Sequence, residues 1–293
     1  MSENTEKNVI LGCGEVGRRI AKQLISRGIS NDSIVGFVNS EASATKAQEL
    51  GISCQLIDAD NLMHDLNECH KANIYYTIAP QKSGDVDLRS AAIISSLKHN
   101  SVCPNKIVLI STTGLYGDCN GQWVTEDSPV RPQTGRGQRR LSAEKQWLEW
   151  GAKADVEIVI LRVPGIYARS RLPKKRLESA IPVVMASECG FTNRVHADDL
   201  ANMCVIAMQK APHGEIYNAS DGVPGKIAEY LQAAAASLGL APLPEISMSK
   251  AHAELSPGML SYLNESRKIS NRKILNDLNI ELIYPDYKIG ILN

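Results

Sequence analysis

The sequence carries no surplus of either charge: 32 Lys and Arg balance 32 Asp and Glu over 293 residues. That balance gives no electrostatic handle for nucleic acid or an anionic membrane surface. No apolar run approaches the ~20 residues that a membrane span needs. The polar stretch 1–7 lacks the apolar core of a signal peptide. Seven cysteines, at 13, 54, 69, 103, 119, 189 and 204, form no C-x-x-C pair and no tight cluster. A disulfide framework or zinc site is not expected, and a reduced, cytoplasmic protein is. No His/Cys/Asp spacing suggests any other metal. The chain also lacks internal repeats and low-complexity linkers. What remains is a chain 43% hydrophobic, long enough for one large or two modest domains with ample core.

The most informative stretch is Val9-Ile10-Leu11-Gly12-Cys13-Gly14-Glu15-Val16-Gly17-Arg18-Arg19-Ile20. Three apolar residues predict a buried parallel strand. They run into G-x-G-x-x-G, and a helical pattern follows with Val16, Ile20 and Leu24 on one face and Gly28 as its stop. In that context each glycine has its own expected job. Gly12 allows the tight turn, Gly14 lets a pyrophosphate approach the backbone, and Gly17 lets helix and strand pack closely. The first amides of the helix, from Cys13 and Glu15 to Gly17, would bind the phosphates. A dinucleotide, NAD(P), is the expected cofactor.

Strand and helix patterns then alternate. Strands are expected over 33–38, 52–57, 74–78, 106–110 and 156–161, and helices over 41–50, 61–70, 86–98 and 139–152. This alternation predicts an α/β, Rossmann-type doubly wound parallel sheet. Past Pro164 the rhythm breaks into short pieces. A smaller C-terminal cap region is expected over the carboxyl edge of the sheet, where ligands bind. The expected division is residues 1–168 for the NAD(P)-binding Rossmann domain, with parts of 196–222 returning to it, and residues 169–293 for the substrate and cap region.

Five later segments share one resemblance. Ser111-Thr112-Thr113-Gly114-Leu115-Tyr116-Gly117 resembles the S-S-x-x-V-Y-G turn of the extended short-chain dehydrogenase/reductases, the NAD-dependent epimerase/dehydratase family. Leu161 to Tyr167 resembles its L-R-x-x-x-V-Y, and Arg194 to Ala201 its R-x-x-H-V-D-D-x-A. Glu215 to Ser220 resembles the V-Y-N-V-S strand, and Ser270 to Lys273 with Tyr284 to Tyr287 the closing S-N-x-K and Y-P-x-Y. The resemblance implies NAD(P)-dependent oxidoreductase or epimerase-like chemistry on a sugar nucleotide or another small carbonyl or alcohol. A homodimer joined through two helices of the sheet domain is implied as well.

One departure decides how that chemistry is read. The family's Y-x-x-x-K supplies a tyrosine acid/base and a lysine that lowers its pKa and holds the nicotinamide ribose. Its K-x-x-x-E spacing aligns Arg140 with the lysine and Glu144 with the glutamate, which places Arg136 at the tyrosine. Arginine stays protonated and cannot take and return a proton near neutral pH; Arg140 can still hydrogen-bond ribose hydroxyls or phosphate. The chain thus resembles an atypical member, and a non-catalytic NAD(P) sensor is the alternative function.

The candidate residues keep two readings each. Thr112 matches the hydroxyl that polarises a substrate carbonyl, or it caps the turn. Tyr116 and Tyr167 are the nearest replacement acids, or aromatic plugs. The resemblance adds Thr113, Tyr167 and Arg194 on the substrate side, and Ser111 and Pro164 on the cofactor side. Asn39-Ser40 ends the second strand without the carboxylate that binds the ribose of NAD; the neutral pair favours NADP, with Arg18 or Lys46 assisting. Asp58 resembles an adenine contact, or caps the helix expected after it. Ala79-Pro80 lies where the family's backbone passes the cofactor ribose. His196, Asp198 and Asp199 are expected to brace the cap. The basic run from Arg169 to Arg176 either meets a substrate diphosphate or is a solvated face.

Overall fold

The computed structural model describes residues 6–62, 65–255, 260 and 263–292. Its centre is a seven-stranded sheet of β1 (Asn8–Leu11), β2 (Ile34–Val38), β3 (Ser53–Leu56), β4 (Asn73–Tyr76), β5 (Lys106–Thr112), β6 (Glu157–Val163) and β7 (Ile216–Asn218). The strands lie in the order β7-β6-β5-β4-β1-β2-β3, and every neighbouring pair is parallel. All-parallel sheets need both faces covered, which is why β1, β2 and β5 read as continuous apolar runs rather than as alternation.

Successive side chains of β1 go to opposite faces. Ile10 enters one core with Ile20, Ala21 and Leu24 of α1 (Glu15–Ser26) and with Leu200, Met203 and Cys204 of α5 (Ala197–Lys210). Ala44 and Ala47 of α2 (Glu41–Gln48) join that core. Val9 and Leu11 enter the other core with Ile93 and Leu97 of α3 (Leu88–His99) and with Trp147 and Trp150 of α4 (Gly135–Ala154). The segment after residue 196 therefore returns to the sheet: α5 packs on α1, and β7 adds a strand beyond β6.

A third core belongs to the cap. Leu177, Val183, Val184, Ile246 and Tyr287 pack there with Leu231 and Ala234 of α6 (Ile227–Ser237). The cap is built on helices and strand pairs of two or three residues rather than on a sheet of its own.

The helix expected over 61–70 is not formed among the described residues. Only Asn67–Cys69 makes a 3-10 turn, and positions 63 and 64 lie outside the described residues. Leu66 has φ +53°, a left-handed conformation that ends any helix entering it. Leu66 and Cys69 are nevertheless buried, in the core with α3. Their spacing reflected a shared buried face, which a helix and an irregular turn can both supply.

Candidate active site

At the carboxyl end of β1 the chain turns sharply. Gly12 has φ +95°, and a Cβ there would lie 2.8 Å from Thr77 Oγ1 and 2.9 Å from the Ile78 amide nitrogen. Thr77 Oγ1 donates to the Gly12 carbonyl at 2.5 Å, and the amides of Gly12 and Cys13 donate to the Phe37 carbonyl. A Cβ on Gly17 would press on Ile10 Cγ2 at 2.8 Å and the Gly12 carbonyl at 3.0 Å. Gly14 is the opposite case: a Cβ would meet nothing nearer than the Gly12 carbonyl at 3.8 Å. Two of the glycines are thus required by packing, while the third faces open space at the start of α1. β1 lies between β2 and β4, so this turn opens at the point where strand order reverses, the place where such sheets bind nucleotides. The geometry fits a diphosphate on the first amides of α1.

The other cofactor candidates fall around that turn with different side-chain fates. Asn39 and Ser40 are exposed just beyond β2. Asp58 is exposed beyond β3, and its Oδ1 accepts from the Asp60 amide at 2.9 Å; it closes a local turn rather than capping a helix. Arg89 binds both carboxylate oxygens of Asp60 and donates to the Ala79 carbonyl at 2.9 Å, so it ties the loops after β3 and β4 together beside Pro80. Arg140 Nη1 donates to the Ile78 carbonyl at 3.1 Å, which sets this guanidinium at the end of β4. Cys13 is fully buried and its thiol is pushed up to about 12 by that burial, so only its backbone is available to a ligand. Ser111 is buried and its hydroxyl donates to Glu144; its side chain is already engaged. Glu15 accepts from Ser170 at 2.6 Å and Arg171 at 3.0 Å, which pins the glycine turn to the cap.

A cavity of about 510 Å³ lies between the carboxyl edge of the sheet and the cap. Thr112, Thr113, Gly114 and Pro164 form its sheet side, Arg136 comes from the first turn of α4, and Val183, Val184, Ile227 and Leu231 form its cap side. Thr134 caps α4 by accepting from the Gly137 amide, and this fixes where Arg136 starts. Thr112 meets both of its readings: Oγ1 accepts from the Gly114 amide at 3.1 Å as a turn cap, and the residue also lines the cavity.

The tyrosines are placed differently from the proton-donor reading. Tyr116 is outside the cavity lining. Its hydroxyl donates to Asn218 Oδ1 at 2.8 Å and accepts from Arg162 Nη1 at 3.0 Å, and Arg162 is paired with Glu144 at 2.8 Å. Burial raises the Tyr116 pKa, with the Arg162 charge opposing. Tyr167 is in the cavity lining, but its hydroxyl oxygen is shut off from solvent, and a Cβ on Gly290 would lie 2.7 Å from it. Burial raises its pKa, and the Asp221, Asp199 and Asp286 carboxylates raise it further. Both phenols hold their protons as packing groups.

Of the basic run, Arg171 is held by Glu15, and Arg169 donates to the Ile291 carbonyl at 3.3 Å. Lys174 and Lys175 are exposed, and Arg176 alone reaches the cavity. His196 Nδ1 accepts from the Asp198 amide, and Asp199 accepts from the amides of Ile283 and Tyr284 at 2.8 Å each. The His196 contact caps α5, and the Asp199 contacts brace the C-terminal segment against it. Arg194 lines the cavity, with its guanidinium 4.3 Å from the Tyr230 ring centroid and 5.3 Å from that of Tyr287. Sequence reasoning passed over Thr77, which holds the glycine turn, and Glu265 and Arg267, which pair at 2.8 Å in the cavity wall. No motif marks them; they reach the site only through the fold.

Three known proteins bear on this arrangement. A Stigmatella aurantiaca protein, 4-hydroxy-2-methyl-3-oxo-4-farnesyl-3,4-dihydroquinoline-1-oxide ketoreductase, is 22% identical over 236 residues, 75% of this chain and 69% of that protein. A functionally unknown conserved protein from Silicibacter pomeroyi has a solved structure with TM-score 0.82 and 24% identity, over 98% of this chain and 97% of that one. The Thermus thermophilus UDP-glucose 4-epimerase, solved in complex with NAD, superposes with TM-score 0.75 at 18% identity, over 97% and 96% of the two chains. The profile of the NAD dependent epimerase/dehydratase family matches residues 9–220, from β1 through β7. That span contains the glycine turn, the β5 turn and Arg136, and it makes this chain a member of the NAD-dependent epimerase/dehydratase family.

Proposed function

We propose that the chain is an NAD(P)-binding oxidoreductase or epimerase-like protein that acts on a small carbonyl or alcohol compound in the cavity, without the Tyr-x-x-x-Lys pair. The carrying observation is that Thr112 and Arg136 both line one cavity at the carboxyl edge of the sheet that also carries the glycine turn. Nicotinamide, when bound, supplies the hydride chemistry. Gly12, Gly14, Gly17 and the first amides of α1 would hold the diphosphate, and Arg140, bound to the Ile78 carbonyl beyond β4, would hydrogen-bond the ribose. The Thr112 hydroxyl, whose oxygen already accepts from Gly114, has its proton left to donate to a substrate oxygen. Arg136 stabilises negative charge on that oxygen without exchanging a proton. The relatives named above include a ketoreductase and a sugar-nucleotide epimerase, which bracket the chemistry. The neutral Asn39-Ser40 end of β2, with Arg18 or Lys46 to assist, favours NADP. The working units are residues 1–168 with parts of 196–222, and the cap from 169 to 293.

A second reading is a cofactor-dependent sensor. It is favoured by the engagement of Tyr116 with Arg162 and Asn218, and by the enclosure of the Tyr167 hydroxyl. Calorimetry with NADP and NAD tests the shared premise, with NADP expected to bind more tightly. Change in 340-nm absorbance over a panel of carbonyls and sugar nucleotides then separates enzyme from sensor. Arg136→Tyr with Arg140→Lys is expected to raise turnover of any substrate found. Cofactor binding with no turnover in either form would leave only the sensor.

A further inference from the structure

We infer that the cavity takes an apolar compound bearing a single anionic group, seated on Arg194, rather than a sugar nucleotide. This rests on the cavity being the substrate site. Its cap side is aliphatic and aromatic: Pro182, Val183, Val184, Ile227, Leu231 and Phe191 all line it. A sugar nucleotide needs directional partners for a base edge, a ribose and a hexose, and an unpaired buried polar group is costly.

The neutral polar side chains on this wall are largely engaged already. Asn193 Nδ2 donates to the Arg267 carbonyl at 3.0 Å and its Oδ1 accepts from the Ile269 amide at 2.8 Å. Thr192 Oγ1 donates to the Gly225 carbonyl at 3.0 Å and accepts from Arg194 Nη2. Little remains to read a nucleobase.

Charge is not scarce on the same wall. Of the other guanidiniums in the lining, Arg267 is bound to Glu265, Arg176 donates to the Pro182 carbonyl at 3.1 Å, and Arg136 comes from the first turn of α4, where the reading above gives it to the substrate oxygen. Arg194 is 4% exposed, has no carboxylate within ion-pair distance among the described residues, and leaves Nη1 without a hydrogen-bond partner there. Tyr230 and Tyr287 hold the guanidinium in place, which fixes a cation at low entropic cost. A buried cation of this kind gains most from an anion brought in by the ligand. With its acid on Arg194 and its body on the aliphatic wall, the compound extends its carbonyl toward Thr112 and Arg136.

The test uses the full chain with saturating NADP and three probes in calorimetry: 4-benzoylbenzoate, its primary amide, and UDP-glucose. The carboxylate is expected to bind roughly tenfold or more tightly than the amide, and UDP-glucose more weakly than either. Arg194→Met is expected to bring the carboxylate and the amide to equal affinity. Should that variant fail to fold, the wild-type ratio of carboxylate to amide decides alone. Equal wild-type affinities, or tighter binding of UDP-glucose, would overturn the inference. Absence of NADP binding in the first titration would instead remove the functional reading beneath it, so the two failures are distinct.

Discussion

At the carboxyl end of β1 the surface proposed for the ligand is backbone, whereas at the start of α4 it is side chain. The turn from Gly12 to Gly17 is held by its own amides, by Thr77 and by the close approach of α1 to Ile10. Behind the β5 turn, the structure depends on a buried polar network of Ser111, Glu144, Arg162, Tyr116 and Asn218. The first region tolerates change wherever space is open. The second tolerates little, because each buried member satisfies another. Arg136 stands in the cavity wall in front of this network, in which Asn218 Nδ2 is left without a hydrogen-bond partner among the described residues.

The largest expected effect falls on that network. Glu144 binds Arg162 through both carboxylate oxygens, and the two side chains are only 3% and 6% exposed. Removing one partner strands a buried charge, so Glu144→Gln is expected to cost about 3–5 kcal/mol in urea unfolding. A cost below about 1 kcal/mol, the range of surface pairs, would show that water reaches Arg162 and would erase the contrast drawn above.

The glycine turn carries the next effect, and it splits in two. Gly12→Ala puts a Cβ against Thr77 and Ile78 at positive φ. It should cost roughly 2–4 kcal/mol of stability. Gly14→Ala meets open space, so the unfolding midpoint should stay near wild type while cofactor affinity drops about tenfold or more as the methyl enters the phosphate approach. Calorimetry and thermal melts on the same two variants check the split. If Gly14→Ala melts early but binds normally, the open face is not where the diphosphate sits.

The same comparison explains what was legible in advance. The glycine turn could be read from six residues because its demands are local: a positive φ, a close helix and an open approach each call for glycine whatever the rest of the fold does. The sheet was legible for a related reason, since apolar runs with helical patterns between them specify parallel strands. Thr112 was half legible, because its turn is local but its cavity is assembled by a cap more than fifty residues away. The fates of Tyr116 and Tyr167 were hidden. Each depends on Arg162, Asn218 or Gly290, brought near only by the completed fold. The failed helix over 61–70 had the right apolar spacing, but nothing in its pattern announced that Leu66 would turn left-handed.

The smallest expected effect is a pH slope, and it probes the cap side of the comparison. Asp221 is 5% exposed; Oδ1 accepts from the Val223 amide at 3.0 Å, and Oδ2 has no partner among the described residues. Burial pushes its pKa up to about 7, against the Val223 hydrogen bond and the Arg194 charge, with the Asp286 and Asp199 carboxylates adding to the rise. A carboxyl whose folded pKa lies above its unfolded value binds its proton more tightly when folded. Its contribution to stability is complete below the unfolded pKa and is lost as pH climbs through the folded one. Between pH 4 and pH 8 wild type should therefore lose stability at this residue, and Asp221→Asn, which keeps the Val223 bond without the charge, should not. The variant's advantage over wild type should grow by of order 2 kcal/mol from pH 4.5 to pH 8 in paired urea titrations. Parallel curves would mean that Arg194 already compensates the carboxylate. Arg194 would then be an ion-paired residue rather than a cation awaiting a ligand, and the cap would have a closed charge balance like that of the network behind β5.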